Sequence, residues 1–177
     1  NMPKLKKKIH IILTGGTIDS YYDSTKDTVV ANKKSIIPEY IKRLRIKGVK
    51  FTQVCAKDSR DIRENDLKKV LKLIQKSKDK RIIITHGTYT MPDTGRFLKS
   101  HLSNNDKVII LTGAMLPLKE FASSDAGFNL GYAMAQAEHL KSGIYVCMQG
   151  VTFAPDEIAK MISQGEFISI LSKENIS

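Results

Sequence analysis

The stretch Thr14-Gly15-Gly16-Thr17-Ile18 decides the fold, because it directly follows the short apolar run Ile9–Leu13. Such a run is typical of a buried β-strand, and this strand must then end in a tight, exposed turn. Two adjacent glycines allow positive φ angles and let the backbone approach a bound group closely. If the sheet is parallel, the turn lies at the edge where open α/β folds bind their ligands. The pattern therefore places Thr14 and Thr17 at a candidate binding edge.

Outward from this turn, apolar runs and amphipathic stretches alternate along the chain. Further strands are predicted over Val49–Cys55, Arg81–Thr85, Lys107–Leu111 and Gly143–Met148, and helices over about 37–44, 64–74, 93–102 and 128–140. This alternation predicts an α/β protein with a mostly parallel sheet covered by helices on both faces. The polar segment Asp19–Lys34 has no periodicity and is predicted to be a long binding loop. The tail is predicted to form a turn, a short helix ending at Lys160 and a last apolar run, Phe167–Leu171.

Composition limits the class of protein. The 177 residues suit one domain spanning 1–177, and the formal net charge is +11. The basic residues are spread over helix-like segments, and only Lys4–Lys8 is a compact run. Without a binding motif, this distribution favours a solvated surface over a nucleic-acid site. Cys55 and Cys147 lie in apolar patterns without metal-ligand spacing, which is typical of core thiols in a reducing compartment. No apolar run reaches membrane-spanning length and no signal peptide is recognised, so we expect a soluble cytoplasmic protein with no membrane contact.

Hydroxyl and charged side chains follow the predicted strands, and in a parallel sheet they share one edge. The hydroxyl residues are Thr14, Thr17, Ser59, Thr88, Thr90 and Thr112, and the charged residues are Asp19, Asp58, Arg60, Asp61 and Asp125. Such a set suits a small zwitterion or a polar anion. A dinucleotide site is the generic alternative, but neither G-x-G-x-x-G nor a P-loop is present. No Ser-His-Asp set is evident, and His86 is predicted to point away from Thr88.

An ordered series of motifs resembles the L-asparaginase/glutaminase family. The motifs are Thr14–Ile18, His86-Gly87-Thr88-x-Thr90-Met91, Leu111–Met115, Asn129-Leu130 and Val146–Gly150 through to Lys160. The resemblance covers nearly the whole chain and is closest to the short-chain members, which consist of the N-terminal domain alone. It implies a flavodoxin-like three-layer sandwich with its active site at the carboxyl ends of the strands, in agreement with the alternation of elements.

The resemblance also implies a reaction, in which a threonine attacks the side-chain amide of L-asparagine through an acyl-enzyme. Thr17 matches the nucleophile, Thr88 the second catalytic threonine and Lys160 the lysine that activates it, while Tyr22 is the best match to a tyrosine on the mobile loop. Ser59 matches a residue that binds the substrate carboxylate. Further substrate contacts are assigned to Arg60, Gly16, Gly87, Tyr89, Thr112 and Ala114, with backbone amides at these turns supplying the oxyanion contacts. A small-molecule substrate, a homodimer or higher homo-oligomer, and no cofactor are implied.

Two positions depart from the family pattern, besides Arg60, which stands where many members have glutamine. The position of the family's mobile-loop tyrosine falls near Thr28, so Tyr22, or as the less favoured alternative Tyr21, is expected to take its place. Tyr89 stands where the family has an aspartate that holds the substrate's α-ammonium group. Tyrosine is neutral near pH 7, and losing one partner of such a charge pair costs on the order of a few kcal/mol. A catalytically impaired homologue that binds an amino acid or small anion is therefore the alternative function. Purely structural roles also stay open, in which the Thr17 hydroxyl caps the turn and Ser59 only begins a helix.

Overall fold

The computed structural model of the protein describes residues 8–119 and 123–171, so residues 4–7 of the basic run lie outside the described residues. Within these ranges the chain forms ten strands and four helices. The strands are β1 (Ile9–Gly15), β2 (Ser20–Asp23), β3 (Thr28–Ala31), β4 (Val49–Lys57), β5 (Arg81–Thr85), β6 (Val108–Thr112), β7 (Gly143–Met148), β8 (Val151–Phe153), β9 (Ile158–Met161) and β10 (Glu166–Ser169). The helices are α1 (Ile37–Arg43), α2 (Glu64–Lys76), α3 (Met91–His101) and α4 (Ala126–His139).

The main sheet has the order β4-β1-β5-β6-β7-β8, in which β8 alone runs antiparallel to its neighbour. Counted in chain order, the parallel strands follow the flavodoxin-like sequence 2-1-3-4-5. The chain passes from β1 outward to β4 and then returns to the other side of β1 to form β5. This reversal opens a crevice between the carboxyl ends of β1 and β5, where ligands bind in such sheets. The predicted fold class is confirmed.

Helices cover both faces of the sheet because the central strands are apolar on both sides. Ile11 and Ile83 face one core cluster, which α1 and α4 complete. Ile12 and Ile84 face the other cluster, which α2 and α3 complete. All four of these isoleucines are fully buried. The continuous β-branched runs predicted from the sequence are therefore those of a sheet buried on both faces.

The segment predicted as the unstructured loop Asp19–Lys34 is instead mostly ordered, and that prediction is wrong. Strands β2 and β3 pair as an antiparallel hairpin within it. The carboxylate of Asp23 accepts hydrogen bonds from the backbone N and the Oγ1 of Thr25, at 3.0 and 2.6 Å, and so closes the turn. Aromatic and β-branched residues favour pairing on either side of this turn, although polar neighbours conceal their pattern in the sequence.

The short helix predicted to end at Lys160 is also wrong, because β9 and β10 form a second antiparallel hairpin there. Ile158 and Phe167 are buried and belong to the core cluster beneath the sheet. Alternate residues of a strand share a face, so Ile158 and Lys160 point the same way. The period of two over only four residues was too short to be recognised in the sequence.

The glycine turn after β1 contacts the turn after β5 without any side chain between them. Gly16 has a φ of 79°, and a Cβ atom there would lie 2.3 Å from the backbone N of Gly87. We expect Gly16→Ala to lower the free energy of unfolding by about 3 kcal/mol, because the clash is with backbone and the φ angle is strained. Urea unfolding measures this loss.

Gly131→Ala is the matched control for this prediction. Gly131 is exposed in α4, and a Cβ atom there would meet nothing within 4 Å. This change is expected to stabilise the protein by up to about 1 kcal/mol through helix propensity. Equal effects of the two substitutions would contradict the close approach of the two turns.

Candidate active site

Three strand-end turns meet at the crevice between β1 and β5. Gly16 touches Gly87 as described, and a Cβ atom on Gly87 would lie 2.7 Å from the Cβ of Ser59. The turns after β1, β4 and β5 therefore pack closely, against backbone at Gly16 and against the short side chain of Ser59 at Gly87. Because each turn carries a predicted site residue beside its contact, this packing gathers Thr17, Ser59 and Thr88 around one crevice.

Thr17 begins a short 3₁₀ turn, Thr17–Asp19, directly after Gly16. Its side chain is partly exposed, and no hydrogen bond joins its hydroxyl to another described residue. Its backbone carbonyl accepts a hydrogen bond of 2.6 Å from the Ser20 hydroxyl, which fixes the turn. The side chain of Thr17 is therefore not used as a cap, and its hydroxyl is available to a ligand.

Thr88 and Lys160 form a direct pair although they lie 72 residues apart in the chain. The Nζ of Lys160 donates a hydrogen bond of 2.6 Å to the Oγ1 of Thr88, whose side chain is buried. Partial burial lowers the pKa of Lys160, and the positive charge of Arg60 lowers it further, while Asp58 opposes both effects. A lysine with a lowered pKa that touches a buried hydroxyl is suited to accept that hydroxyl's proton.

Gln149 holds the hairpin that carries Lys160 in place. Its Nε2 donates to the carbonyl of Gly165 at 2.9 Å, and its Oε1 accepts from the backbone N of Phe167 at 3.0 Å. Phe167 is the cross-strand partner of Lys160. The sequence alone predicts no role for Gln149, because a glutamine after a strand is indistinguishable from an ordinary turn residue.

The buried side-chain amide of Asn129 connects Gln149 to the loop after β6. The Oδ1 of Asn129 accepts from the backbone N of Gln149 at 3.0 Å, and its Nδ2 donates to the carbonyl of Gly113 at the same distance. The carboxylate of Asp125 accepts from Asn129 and from the backbone N of Met115. The loops after β6 and β7 are thus joined into one network beside the crevice.

Ser59 and Arg60 in the turn after β4 lie beside Tyr89 in the turn after β5. Ser59 is buried, its Oγ accepts from the backbone N of Thr90 at 3.3 Å, and its carbonyl accepts from the Thr90 hydroxyl at 2.9 Å. The guanidinium of Arg60 lies 5.6 Å from the centre of the Tyr89 ring and pairs with the Asp58 carboxylate. The Tyr89 side chain is 52% exposed. Ser59, Arg60 and Tyr89 thus lie along one wall of the crevice.

The side chains of several other predicted site residues are buried in the sheet or form hydrogen bonds away from the crevice. Thr112 and Ala114 are fully buried, and the Thr112 hydroxyl donates to the carbonyl of Cys147 inside the sheet, at 2.8 Å. The Thr14 hydroxyl likewise donates to the carbonyl of Thr85. The exposed Tyr22 hydroxyl donates to Asp27 within its own hairpin, and this hydrogen bond raises its pKa. Among the described residues, no hydrogen bond joins Tyr22 to Thr17 or Thr88.

His86 is buried beneath the crevice and points away from it. Its Nδ1 lies 2.7 Å from the carbonyl of Gly87, so it must donate, and its Nε2 then accepts from the Thr94 hydroxyl at 2.9 Å. Burial lowers its pKa from 6.5 to about 4. His86 is therefore a neutral structural residue, since each ring nitrogen is already engaged.

This lowered pKa predicts a loss of stability on acidification. The unfolded chain takes up the His86 proton below pH 6.5 and the folded chain only near pH 4, so the stabilisation present above 6.5 is lost between these values. We expect the free energy of unfolding to fall by about 2 kcal/mol from about pH 7 to about pH 5. Urea titrations at several pH values measure the slope, and His86→Gln should remove most of it. A slope unchanged in that variant would contradict the prediction.

The described ranges, 8–119 and 123–171, contain neither a metal-binding cluster nor a membrane-spanning helix. There, no group of three or more histidine, cysteine or acidic side chains is arranged to hold a metal ion. In the same ranges, none of the helices has the length and apolar character needed to cross a membrane.

The fold and the crevice define a flavodoxin-like α/β protein with a polar site at its topological switch point. The profile of the family described as "Asparaginase, N-terminal" matches residues 8–168. The glutaminase-asparaginase of Acinetobacter glutaminasificans is 32% identical over 171 residues, covering 89% of this chain and 51% of that protein. The chain therefore belongs to the asparaginase family, as the sequence motifs predicted.

Two further comparisons agree with this assignment. L-asparaginase 2 of Escherichia coli strain K12 is 33% identical over 161 residues, covering 86% of this chain and 46% of that protein. The crystal structure of a probable cytoplasmic L-asparaginase from Campylobacter jejuni superposes with a TM-score of 0.75 at 29% identity, covering 93% of this chain and 53% of the other. The chain thus spans about half the length of the curated relatives it matches.

Proposed function

We propose that the protein is an amidohydrolase that cleaves the side-chain amide of L-asparagine or a close relative, giving the acid and ammonia. The observation that carries this proposal is the 2.6 Å contact between Lys160 and Thr88 beside the turn that holds Thr17. A lysine–threonine pair in a crevice of a parallel sheet provides a base and a relay for proton transfer. Family membership supports the reaction class.

In the proposed first step, the Oγ1 of Thr17 attacks the amide carbon, and the hydroxyl proton is passed on to the amide nitrogen that leaves. The oxyanion is stabilised by backbone N–H groups of the residues that follow Gly16 and Gly87, because the N–H of Gly16 itself donates to the carbonyl of Lys57 at 2.8 Å and because Thr112 and Ala114 are buried. The C–N bond then breaks, the nitrogen takes up a proton, and ammonia leaves an ester on Thr17. Tyr22 can assist only if its hydroxyl first leaves Asp27.

In the proposed second step, the Thr88–Lys160 pair activates a water molecule. Lys160 in its neutral form accepts the Thr88 proton, and Thr88 in turn accepts a proton from the water that attacks the ester. The acid leaves and the Thr17 hydroxyl is restored. No redox step or cofactor is required by this sequence of bond changes.

A homodimer in solution, implied by the family resemblance, is a separate proposal that light scattering after size exclusion tests.

Ammonia release from L-asparagine and L-glutamine is the primary test, with Tyr89→Asp measured beside the parent protein. Release that depends on enzyme concentration supports the reaction class. The position of Tyr89 under Arg60 favours a second candidate, a homologue that binds a small anion with little turnover. A variant active on asparagine beside an inactive parent would support that second function for the natural protein. If neither variant releases ammonia from either amide, the proposed hydrolysis is wrong.

A further inference from the structure

One wall of the crevice carries three charged residues, namely Arg60, its partner Asp58 and Lys160. Lys160 reaches this wall through its 2.6 Å hydrogen bond to Thr88, and Arg60 lies over the ring of the adjacent Tyr89. The nearest acid, Asp58, accepts three hydrogen bonds from Arg60, from its backbone N at 2.9 Å, its Nε at 2.9 Å and its Nη2 at 3.0 Å. Both oxygens of Asp58 are thus engaged, which leaves them poorly placed to bind an incoming ammonium group.

The other acids on the strand-end loops are engaged elsewhere. The buried carboxylate of Asp19 accepts from the backbone N of Ile36, and Asp125 accepts from the backbone N atoms of the loop after β6. Asp93 pairs with Arg96 on α3. The exposed Asp61 ends the short 3₁₀ turn that contains Arg60, and its charge acts on Arg60.

Tyr89 provides the remaining surface on this wall, and it has no charge to offer. An ammonium group is attracted to the face of an aromatic ring, but the guanidinium of Arg60 already lies over this ring at 5.6 Å. A second cation at that face would be repelled by the first. A carboxylate, in contrast, has two favourable partners. They are the Nη1 group of Arg60, which makes no hydrogen bond to Asp58, and the Ser59 hydroxyl, whose oxygen accepts from Thr90 while its proton stays free to donate.

We propose that the crevice prefers an amide that carries a carboxylate but no α-ammonium group, namely the monoamide of a dicarboxylic acid, over the zwitterionic amide of an amino acid. The proposal rests on the proposed hydrolysis and names its substrate class. The bond changes are the same: water and the amide give the dicarboxylate and ammonia. Succinamate, which is L-asparagine without its amino group, is the matched probe.

The test compares kcat/KM for ammonia release from succinamate and from L-asparagine. The parent protein should prefer succinamate by about tenfold or more, because a cation is not compensated in this wall. Tyr89→Asp, which adds an anion at a half-exposed position, should shift the ratio toward asparagine by a similar factor. Arg60→Gln should lower kcat/KM for both carboxylates and reduce the preference for succinamate. Lys68→Gln removes an exposed cation paired with Glu64 on α2 and should leave the ratio unchanged.

The outcomes separate this proposal from the one on which it rests. A parent protein that prefers asparagine, or a ratio that Tyr89→Asp does not move, overturns the substrate class while hydrolysis stands. If no variant releases ammonia from either amide, the proposed hydrolysis fails, and calorimetry on the parent protein then decides the ligand class. Tighter binding of succinate than of L-aspartate supports the preference, whereas tighter binding of aspartate, or no binding of either, overturns it.

Discussion

Thr17→Ala is expected to reduce ammonia release by at least about 10³-fold without lowering the stability of the fold. A hydroxyl nucleophile has no substitute in an alanine side chain, and removing a group that forms a covalent bond to substrate gives losses of this order. The Thr17 hydroxyl has no hydrogen-bond partner among the described residues, so its removal leaves no unpaired group behind. The measurement combines an ammonia assay with urea unfolding.

Thr28→Ala is the control for this prediction, because it removes the same atoms from the exposed strand β3. Its activity and stability should match those of the parent. Mass spectrometry of the parent, quenched during turnover, should detect an ester on the peptide that contains Thr17. A Thr17→Ala protein with near-normal activity would exclude the nucleophile role. A large loss of stability without a specific loss of activity would instead favour a structural role for this threonine in the turn.

Lys160→Met is expected to reduce the rate by at least about 10²-fold, which is the lower end of what a positioned base contributes. Methionine keeps the apolar stem of the side chain but cannot bond to the Thr88 hydroxyl. The control is Lys72→Met, an exposed position on α2 far along the chain from the crevice. Single-turnover experiments should show that the ester on Thr17 persists longer in the Lys160 variant.

The pH dependence of the parent protein tests the same residue in a different way. Only neutral lysine accepts a proton, so the rate should rise with pH through the lowered pKa of Lys160 and level off above it. Arg60→Gln removes a positive neighbour and should move this rise to higher pH. Asp58→Asn removes a negative neighbour and should move it to lower pH. Shifts in the same direction would contradict the assignment of the titrating group to Lys160.

Much of the fold was predictable because β-branched runs and turn glycines carry local signals. The run Arg81–Thr85 and the glycines that follow β1 specify a buried strand and a close approach whatever the rest of the chain does. The two hairpins were missed, since strands of four residues are too short for periodicity to show. The first depends on the local bonds of Asp23, and the second on burial of Ile158 and Phe167 in a core that other elements build.

The site was predictable only in part. Hydroxyl residues after strands pointed to the carboxyl edge of the sheet, where the structure brings Thr17, Ser59 and Thr88 together, and the motif resemblance added Lys160. Its contact with Thr88 depends on a hairpin whose position no local pattern encodes. Gln149 was missed for the same reason, because its importance lies in two hydrogen bonds to backbone atoms far along the chain. Pairing across long sequence separation is a property of the packed structure.

The hairpin of β9 and β10 gives the two halves of the site different mechanical supports. Within the described residues its strands pair only with each other, while the ladder of the main sheet ends at β8. Thr17 and Thr88 therefore lie on turns of the central sheet, whereas the amine of Lys160 lies on a separate hairpin that Gln149 and the buried Ile158 and Phe167 help to hold. Substitutions in this hairpin can therefore shift the position of the Lys160 amine without altering the strand register of the main sheet. The position and pKa of Lys160 can thus change independently of the folding of the main sheet that carries Thr17.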